Sequence, residues 1–198
     1  MICRVSIDPS SETSPKTFTN WARALTFTAP RSFRPTRRGE IVDIIKQAED
    51  DGRRVKWTGS LWSFMGNYVS NDVVIESDDI KDVIDSALIL GPLTLADESV
   101  RASLHHVRGG TKVFNVNRRL HGLGLADNGG GPDEAGLTCD GAQALPTLGG
   151  SGGQSIAGVM ATGSHGGDVD LPPIADCVQA IHLIGRAARS SGSSAPPA

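Results

Sequence analysis

The residues best suited to chemistry in this chain form one glycine-rich segment, Gly149–Asp168, with the sequence GGSGGQSIAGVMATGSHGGD. It holds eight glycines, and short hydroxyl side chains surround its single histidine, His165. Without side chains in the way, main-chain N–H groups can approach a ligand closely, and serine and threonine hydroxyls add further donors. The segment therefore predicts a site for a phosphate or for the polar edge of a nucleotide or flavin.

A second segment of the same character lies upstream, over Thr58–Asn67 (TGSLWSFMGN). It follows an apolar, strand-like stretch and is placed to wrap a pyrophosphate in the same way. Both segments could instead be flexible loops. Against that alternative, Ile156, Val159 and Met160 give the later segment apolar anchors that a linker does not need.

The surrounding patterns predict the elements that must position these segments. Ile41, Ile44, Ile45 and Ala48 have the spacing of an amphipathic helix. A helix capped by Thr111 is predicted to run to His121, and a short helix over Ser155–Met160 is predicted to meet the ligand with its first turn. Ile80–Leu90 is predicted as a helix or a strand and Asn128–Gly141 as a loop. Strands are predicted over Phe27–Arg34, Arg54–Trp57, Asp72–Glu76, Ser103–Val107 and Asp176–Ile184.

Three motifs, in this order along Phe27–Ile184, resemble the flavin domain of the vanillyl-alcohol oxidase and p-cresol methylhydroxylase (PCMH) family, nearest its sugar-lactone and alditol oxidase branch. That family has a G-S-G-H-S-F-like loop, a G-G-T motif that opens a helix ending in G-L, and a Q-[ST]-I-A-G…T-G-[ST]-H-G segment. The corresponding residues here are Gly59–Phe64, Gly109–Thr111 with Leu123–Leu125, and Gln154–Gly158 with Thr162–Gly166.

The resemblance implies an α+β fold, a PCMH-type FAD-binding domain of two small α/β subdomains with FAD between them. It also implies an FAD-dependent oxidoreductase that moves hydride from a CH–OH group of a sugar-derived alcohol or lactone to the flavin. The cofactor-binding residues it implies are Gly59, Ser60, Leu61, Trp62, Ser63, Gly149, Gly150, Ser151, Gly152, Gln154, Ser155, Ala157, Gly158, Thr162, Gly163, Ser164, His165 and Gly166.

The chain departs from the family pattern at two places. Trp62 stands where many relatives carry a histidine that bonds covalently to the flavin, and Leu145–Gly149 offers leucine where some carry a linking cysteine. FAD is therefore expected to bind noncovalently. The family's substrate domain is missing, so no catalytic residue can be assigned, and His165 is expected either to tune the flavin or to fill the site by hydrogen bonding.

Three regions are expected: a loose leader over residues 1–22, the FAD-binding domain over 23–185 and a disordered tail over 186–198. The chain thus resembles the flavin half of an oxidase and is expected to be truncated, with autonomous activity an open question. One alternative is a noncatalytic FAD-binding fragment. Another is an unrelated nucleotide-binding module, disfavoured because no G-x-x-x-x-G-K-[ST] motif is present.

Composition and charge limit the kinds of ligand and partner that the chain is expected to bind. A net charge of −3 with scattered Lys and Arg gives no basic footprint for nucleic acid. The three cysteines, Cys3, Cys139 and Cys177, form neither a disulfide framework nor a metal pattern, and His105 and His106 lack a third ligand at metal-binding spacing. No membrane segment or secretory signal is found. We expect a cytoplasmic protein with a small-molecule substrate.

Overall fold

The computed structural model describes residues 12–81, 83–84, 103–122, 143–185 and 190–194, with only the backbone described at 83–84 and 190–194. The chain divides into two compact units. The first comprises Met1–Ile80 with Ala180–Ser194, and the second comprises Lys81–Gln179 with Ala195–Ala198. The predicted α+β class with two small subdomains is confirmed. In the described part of the chain, no helix is long and apolar enough to cross a membrane.

The first unit is built on a four-stranded sheet, whose strands lie side by side in the order β1 (Glu12–Thr13), β4 (Arg31–Phe33), β6 (Val73–Glu76) and β5 (Val55–Thr58). Strands β4, β6 and β5 are parallel, and β1 pairs with β4 in the antiparallel sense. Helix α1 (Arg38–Asp50) lies between β4 and β5 in the chain. The strands predicted over 54–57 and 72–76 are therefore confirmed, whereas the stretch predicted over Phe27–Arg34 is divided into two strands, of which only Arg31–Phe33 belongs to this sheet.

Helix α1 covers the sheet with the face that its periodicity predicted. Ile41, Ile44 and Ala48 are buried, and they pack with Phe33 and Ile75 of the central strands in one apolar cluster. The side chain of Glu40 accepts hydrogen bonds from backbone N–H groups ahead of the helix, which satisfies donors that a helix start leaves open. The amphipathic helix is confirmed.

The loose leader predicted for residues 1–22 is wrong for residues 12–22, while residues 1–11 lie outside the described part. Besides β1, this stretch forms β2 (Lys16–Thr19), which pairs with β3 (Thr26–Ala29) as a hairpin. Phe18 is buried with Ala29 and Val74, and its ring lies 5.1 Å from that of Phe27. The Ser- and Thr-rich composition of residues 12–22 is compatible with a strand once a partner strand and an apolar surface are present, since threonine favours extended backbone.

The second unit contains strands β7 (Val83–Ile84) and β8 (His106–Val107), helices α2 (Val113–Leu120) and α3 (Ile156–Ala161), and a 3₁₀ helix over Ile174–Cys177. Among the described residues of this unit, five from the three helices form a buried core: Val113, Val116, Ile156, Val159 and Ile174. The two predicted helices are confirmed. Strand β8 covers only the end of the strand predicted over Ser103–Val107. Three other predicted stretches lie wholly or mostly outside the described residues: 80–90, Leu123–Leu125 and the loop over 128–141.

Two local predictions in this half of the chain are wrong. Helix α2 is preceded by Lys112 at its N-cap, whereas Thr111 is fully buried one residue earlier, because its backbone is engaged by the glycine-rich segment. The strand predicted over Asp176–Ile184 begins only at Ala180, after the 3₁₀ helix, and Ile181 and Leu183 are exposed. This strand, β9 (Ala180–Ile184), pairs with β10 (Ser190–Ser194). The disordered tail is therefore wrong for residues 190–194, and the rest of it lies outside the described residues.

Candidate functional site

The first glycine loop, Gly59–Ser63, leaves β5 at the carboxyl end of the three parallel strands. In open α/β sheets this end is where ligands bind. Leu61 has a φ of 55°, an uncommon conformation for a residue with a side chain. Its carbonyl accepts a hydrogen bond of 2.8 Å from the N–H of Trp21, which lies in the turn after β2. The loop is thus held in a defined conformation by a segment forty residues earlier.

Trp62 of the Gly59–Ser63 loop stacks on a second tryptophan. Its indole ring lies 4.9 Å from that of Trp21, with 15° between the two planes. Trp21 remains 60% exposed, and Phe64 and Met65 beyond it are more exposed still. The loop and the turn that packs on it therefore present an exposed aromatic surface.

The second and third family motifs contact each other in the second unit. Thr111 accepts a hydrogen bond through its carbonyl from the N–H of Ile156 (2.8 Å), and the carbonyl of Gly109 accepts one from Ala157 (3.1 Å). The Gln154 carbonyl in turn accepts from the N–H of Val113 (2.9 Å). This pairing fixes the start of α3 against the start of α2. It gives the glycine-rich segment a rigid support on one side.

The glycines of this segment serve two different purposes. A Cβ on Gly152 would lie 2.9 Å from Cβ of Phe114, and one on Gly166 would lie 2.9 Å from the carbonyl oxygen of Leu148. These two glycines are required by the protein's own packing. By contrast, a Cβ on Gly150 or Gly167 would meet no described atom within 4 Å. The backbone is therefore open at these two positions.

Gly163 is required for a third reason, its conformation. Its φ is 62°, in a region that residues with a side chain rarely adopt. On either side of it, the Thr162 hydroxyl donates to the Gly158 carbonyl at 3.0 Å and lies 3.2 Å from the Ser164 hydroxyl. The left-handed turn thus ends α3 and directs the chain towards His165.

His165 is exposed, and its orientation is fixed by its neighbour. Its Nδ1 lies 2.7 Å from the carbonyl oxygen of Gly166. Because a carbonyl only accepts hydrogen bonds, Nδ1 carries the proton. In the neutral ring, Nε2 is then the nitrogen with the free lone pair. The backbone N–H of Gly166 donates to the buried hydroxyl of Thr147 at 2.9 Å, which anchors this end of the segment.

Two features of the Gly149–Gly166 segment fit a ligand that carries a phosphate or a flavin: free backbone N–H groups and a buried hydroxyl. The N–H groups of Gly149 and Gly150 have no acceptor within the described part of the chain, which leaves donors beside the open backbone. Ser155 is 2% exposed, and its Oγ has no hydrogen-bond partner among the described residues. A buried hydroxyl without a partner costs about 1–3 kcal/mol, which a polar ligand reached by rotation of the side chain would recover. The segment fits such a group.

The predicted site residues fall into two sets, one in each unit. Gly59–Ser63 follow β5 in the first unit, and the predicted residues from Gly149 to Gly166 form one continuous segment of the second. Sequence reasoning missed the residues that hold the two sets in place: Asn20, Trp21, Gly109 and Thr147 contact them through hydrogen bonds or ring stacking. Of these only Gly109 lay in a recognised motif, and the others carry no signal at the sequence level.

Comparison with solved structures gives the class of fold. The chain superposes on cholesterol oxidase from Brevibacterium sterolicum with a TM-score of 0.61 and 12% identity, over 95% of this chain and 33% of that one. A solvent-stable cholesterol oxidase gives a TM-score of 0.55 and 17% identity, over 90% of this chain and 32% of that one. These likenesses show that the chain shares the fold of about a third of each cholesterol oxidase chain.

Comparison with curated sequences finds similarity to a lactone oxidase. The chain is 26% identical over 149 residues to D-arabinono-1,4-lactone oxidase of Eremothecium gossypii, a match that covers 75% of this chain and 23% of that enzyme. No model of a known protein family matches the chain. The chain thus resembles the FAD-binding domain of the lactone oxidase branch, as its motifs predicted, and it spans about a quarter to a third of the relatives it matches.

Proposed function

We propose that this chain is the FAD-binding domain of an FAD-dependent oxidoreductase acting on a CH–OH group of a sugar-derived alcohol or lactone. One observation carries the proposal. A side chain at Gly150 would meet no described atom, and the N–H groups of Gly149 and Gly150 have no acceptor in the described part of the chain. The similarity to a lactone oxidase supports the substrate class. When bound, FAD would supply the redox chemistry by accepting hydride from the substrate.

In this proposal the protein's own residues hold and orient the cofactor. Backbone N–H groups of the Gly149–Gly166 segment bind its pyrophosphate or the polar edge of its ring system. The Gly59–Ser63 loop of the first unit is proposed as a further cofactor-binding segment, as its motif implies. Gly150 and Gly163 allow close approach, the first by its open backbone and the second by its left-handed turn. His165 offers its Nε2 as a hydrogen-bond acceptor at the surface.

The attachment of the cofactor is proposed to be noncovalent. An indole ring has no nucleophilic nitrogen comparable to that of imidazole, and Trp62 is already stacked on Trp21. Leu145 and Leu148 lie in the stretch where some relatives carry a linking cysteine. Cys177 is a free, exposed thiol. A cytoplasmic location is part of the proposal, as the cysteine spacing in the sequence predicted.

A noncatalytic FAD-binding function is the second candidate. It predicts the same cofactor without turnover, and the match to the lactone oxidase covers 23% of that enzyme. Both candidates require FAD binding, and they differ in turnover. Anaerobic mixing of the FAD-loaded chain with sugar lactones and polyols distinguishes them, since only a catalytic chain bleaches the flavin in a saturable way.

FAD titration of the purified chain tests the shared part of the proposal. The wild-type chain is expected to bind FAD and to quench or shift its absorbance and fluorescence. Gly150→Val should raise the Kd at least about tenfold, which corresponds to roughly 1.4 kcal/mol, because its side chain fills the space next to the donor N–H groups. Its melting temperature should change little, since that space holds no described protein atom.

Gly39→Ala is the matched control, because Gly39 is also free of contacts but lies in α1, outside both glycine segments. It should bind FAD like the wild type. A wild-type chain that is folded by circular dichroism yet binds neither FAD nor FMN would overturn the proposed function. Equal affinity in Gly150→Val and the wild type would remove Gly150 from the site.

A further inference from the structure

Asn20 is a buried polar residue whose side chain joins two separate segments of the first unit. It is 2% exposed and lies directly after β2. Its Nδ2 donates a hydrogen bond to the carbonyl of Ser63 at 3.1 Å. Its Oδ1 accepts from the N–H groups of Ala24 (2.9 Å) and Leu25 (3.1 Å). Both ends of the amide are therefore used, one towards the glycine loop and one towards its own turn.

The turn that follows Asn20 is itself closed by backbone hydrogen bonds. Asn20 donates to the carbonyl of Leu25 at 3.0 Å, and its own carbonyl accepts from Arg23 at 2.9 Å. Arg23 has a φ of 57°. A turn fixed in this way costs little further entropy when it holds another segment, because its backbone is already ordered.

This turn contacts three consecutive residues of the first glycine loop, each by a different interaction. Trp21 donates its N–H to the carbonyl of Leu61, its ring stacks on Trp62, and Asn20 bonds to Ser63. Leu61 has a positive φ, and such a conformation persists only where its surroundings impose it. The contacts from the turn supply that constraint.

We propose that Asn20 is a positioning residue for the Gly59–Ser63 loop, which it holds in the conformation that binds FAD. This inference takes FAD as the ligand from the proposed function. The loop conformation that Asn20 holds is, however, a property of the protein without ligand. A loop ordered before binding loses less entropy on binding, so the hydrogen bond from Asn20 to Ser63 raises the affinity for the cofactor.

Asn20→Asp tests this proposal because it changes one end of the amide. A carboxylate oxygen still accepts from Ala24 and Leu25, whereas the oxygen that replaces Nδ2 faces the carbonyl of Ser63 and repels it. In the chain without FAD, the exciton signal that two stacked indoles give in circular dichroism should be lost or strongly reduced. The Kd for FAD should rise about tenfold or more, and the melting temperature should fall as well, because the carboxylate is buried beside a carbonyl oxygen.

Thr19→Ala is the matched control, since Thr19 precedes Asn20 and its exposed hydroxyl lies 3.0 Å from that of Thr26 without contact to the glycine loop. It should keep both the exciton signal and the affinity. Trp21→Phe and Trp62→Phe should each remove the signal, which assigns it to this pair.

Two results with folded Asn20→Asp would overturn the proposal: an unchanged exciton signal, or a lost signal with an unchanged Kd. Both leave the proposed function intact, whereas a wild-type chain that binds no flavin is the result that ends the proposed function itself. Hydrogen exchange of the wild-type chain covers the case in which the variant does not fold. The amide of Trp21 should be protected by its bond to Leu61, and protected further by FAD. A Trp21 amide that exchanges as in an unfolded peptide overturns the positioning role.

Discussion

The indole rings of Trp21 and Trp62 lie 4.9 Å apart and nearly parallel, and they join the hairpin turn after β2 to the first glycine loop. The two residues are forty-one positions apart in the sequence. Stacked aromatic pairs of this kind are worth about 0.5–1.5 kcal/mol beyond the area that they bury. Trp62, which the motif resemblance aligns with a linking histidine, is thus part of the structure that fixes the loop.

The first prediction follows from Trp62 and concerns how the flavin is held. Acid precipitation of the FAD-loaded chain is expected to release all of the flavin into the supernatant, because no imidazole is present at the linking position. Absorbance of the supernatant and of the washed, redissolved pellet measures the distribution. Yellow colour that stays with the pellet would show a covalent link at a residue other than Trp62.

The second prediction concerns the left-handed glycine of the third motif. Gly163 has a φ of 62°, where valine is strained. Gly163→Val should therefore reduce FAD binding severely and destabilise the fold by about 1–3 kcal/mol. Isothermal titration and urea unfolding measure the two effects. Gly185→Val is a suitable comparison, since Gly185 has neither a positive φ nor a close neighbour and lies outside the segment.

Gly158→Val is expected to act on the same segment by a different route. A Cβ at Gly158 would lie 3.0 Å from the buried Oγ of Ser155, so the branched side chain must displace that hydroxyl. Flavin affinity should fall more than stability, as judged by the same two measurements. Unchanged affinity in both Gly158→Val and Gly163→Val would mean that the segment does not contact the cofactor.

The third prediction concerns turnover. The FAD-loaded chain should show little or no activity with aldonolactones or alditols, because it spans only part of its relatives. Correct orientation of donor and acceptor is worth roughly 7–11 kcal/mol of the barrier. After chemical reduction, slow reoxidation by oxygen is still expected. Rapid, saturable bleaching of the flavin under anaerobic conditions by any lactone or polyol would contradict this prediction.

The fourth prediction tests the order of residues 12–22. Arg31 donates two hydrogen bonds to the carboxylate of Glu12, at 2.9 and 3.2 Å, and these bonds lower the pKa of Glu12. A carboxyl group with a lowered pKa in the folded state stabilises the fold above its unfolded pKa of about 4.3, and this contribution is lost as the pH falls through the folded value.

Glu12→Gln should therefore lower the free energy of unfolding at pH 7 by up to about 1 kcal/mol, with the difference from the wild type closing as the pH falls below about 4. Urea unfolding at a series of pH values measures the difference. Asp50→Asn, a substitution at an exposed position in the last turn of α1, controls for the general loss of negative charge. A difference that does not depend on pH would show that Glu12 acts through packing alone.

What the sequence determined by itself rests on patterns that short-range physics imposes. The Ile41–Ala48 spacing places an apolar stripe on one face of a helix whatever lies beyond it, and the alternation of strand and turn residues around β5 and β6 is equally local. The glycines of residues 149–167 predict, through composition alone, a close approach of the backbone to a ligand. The order of three such motifs was enough to predict the fold and the flavin domain it resembles.

The tertiary structure alone decided which segments are ordered and what supports the glycine loops. The stretch Lys16–Thr19 is too short and too polar to predict a strand, and it becomes one because β3 pairs with it and because Lys16 reaches Glu76, sixty residues away, at 2.7 Å. Thr111 has the type of a helix cap, yet its backbone is taken by Ile156. The local sequence around Asn20 likewise gives no sign of the hydrogen bond from its side chain to Ser63. Contacts between residues far apart in the chain leave no periodic trace in it, because each depends on a single pair of side chains or backbone groups that only the folded chain brings together.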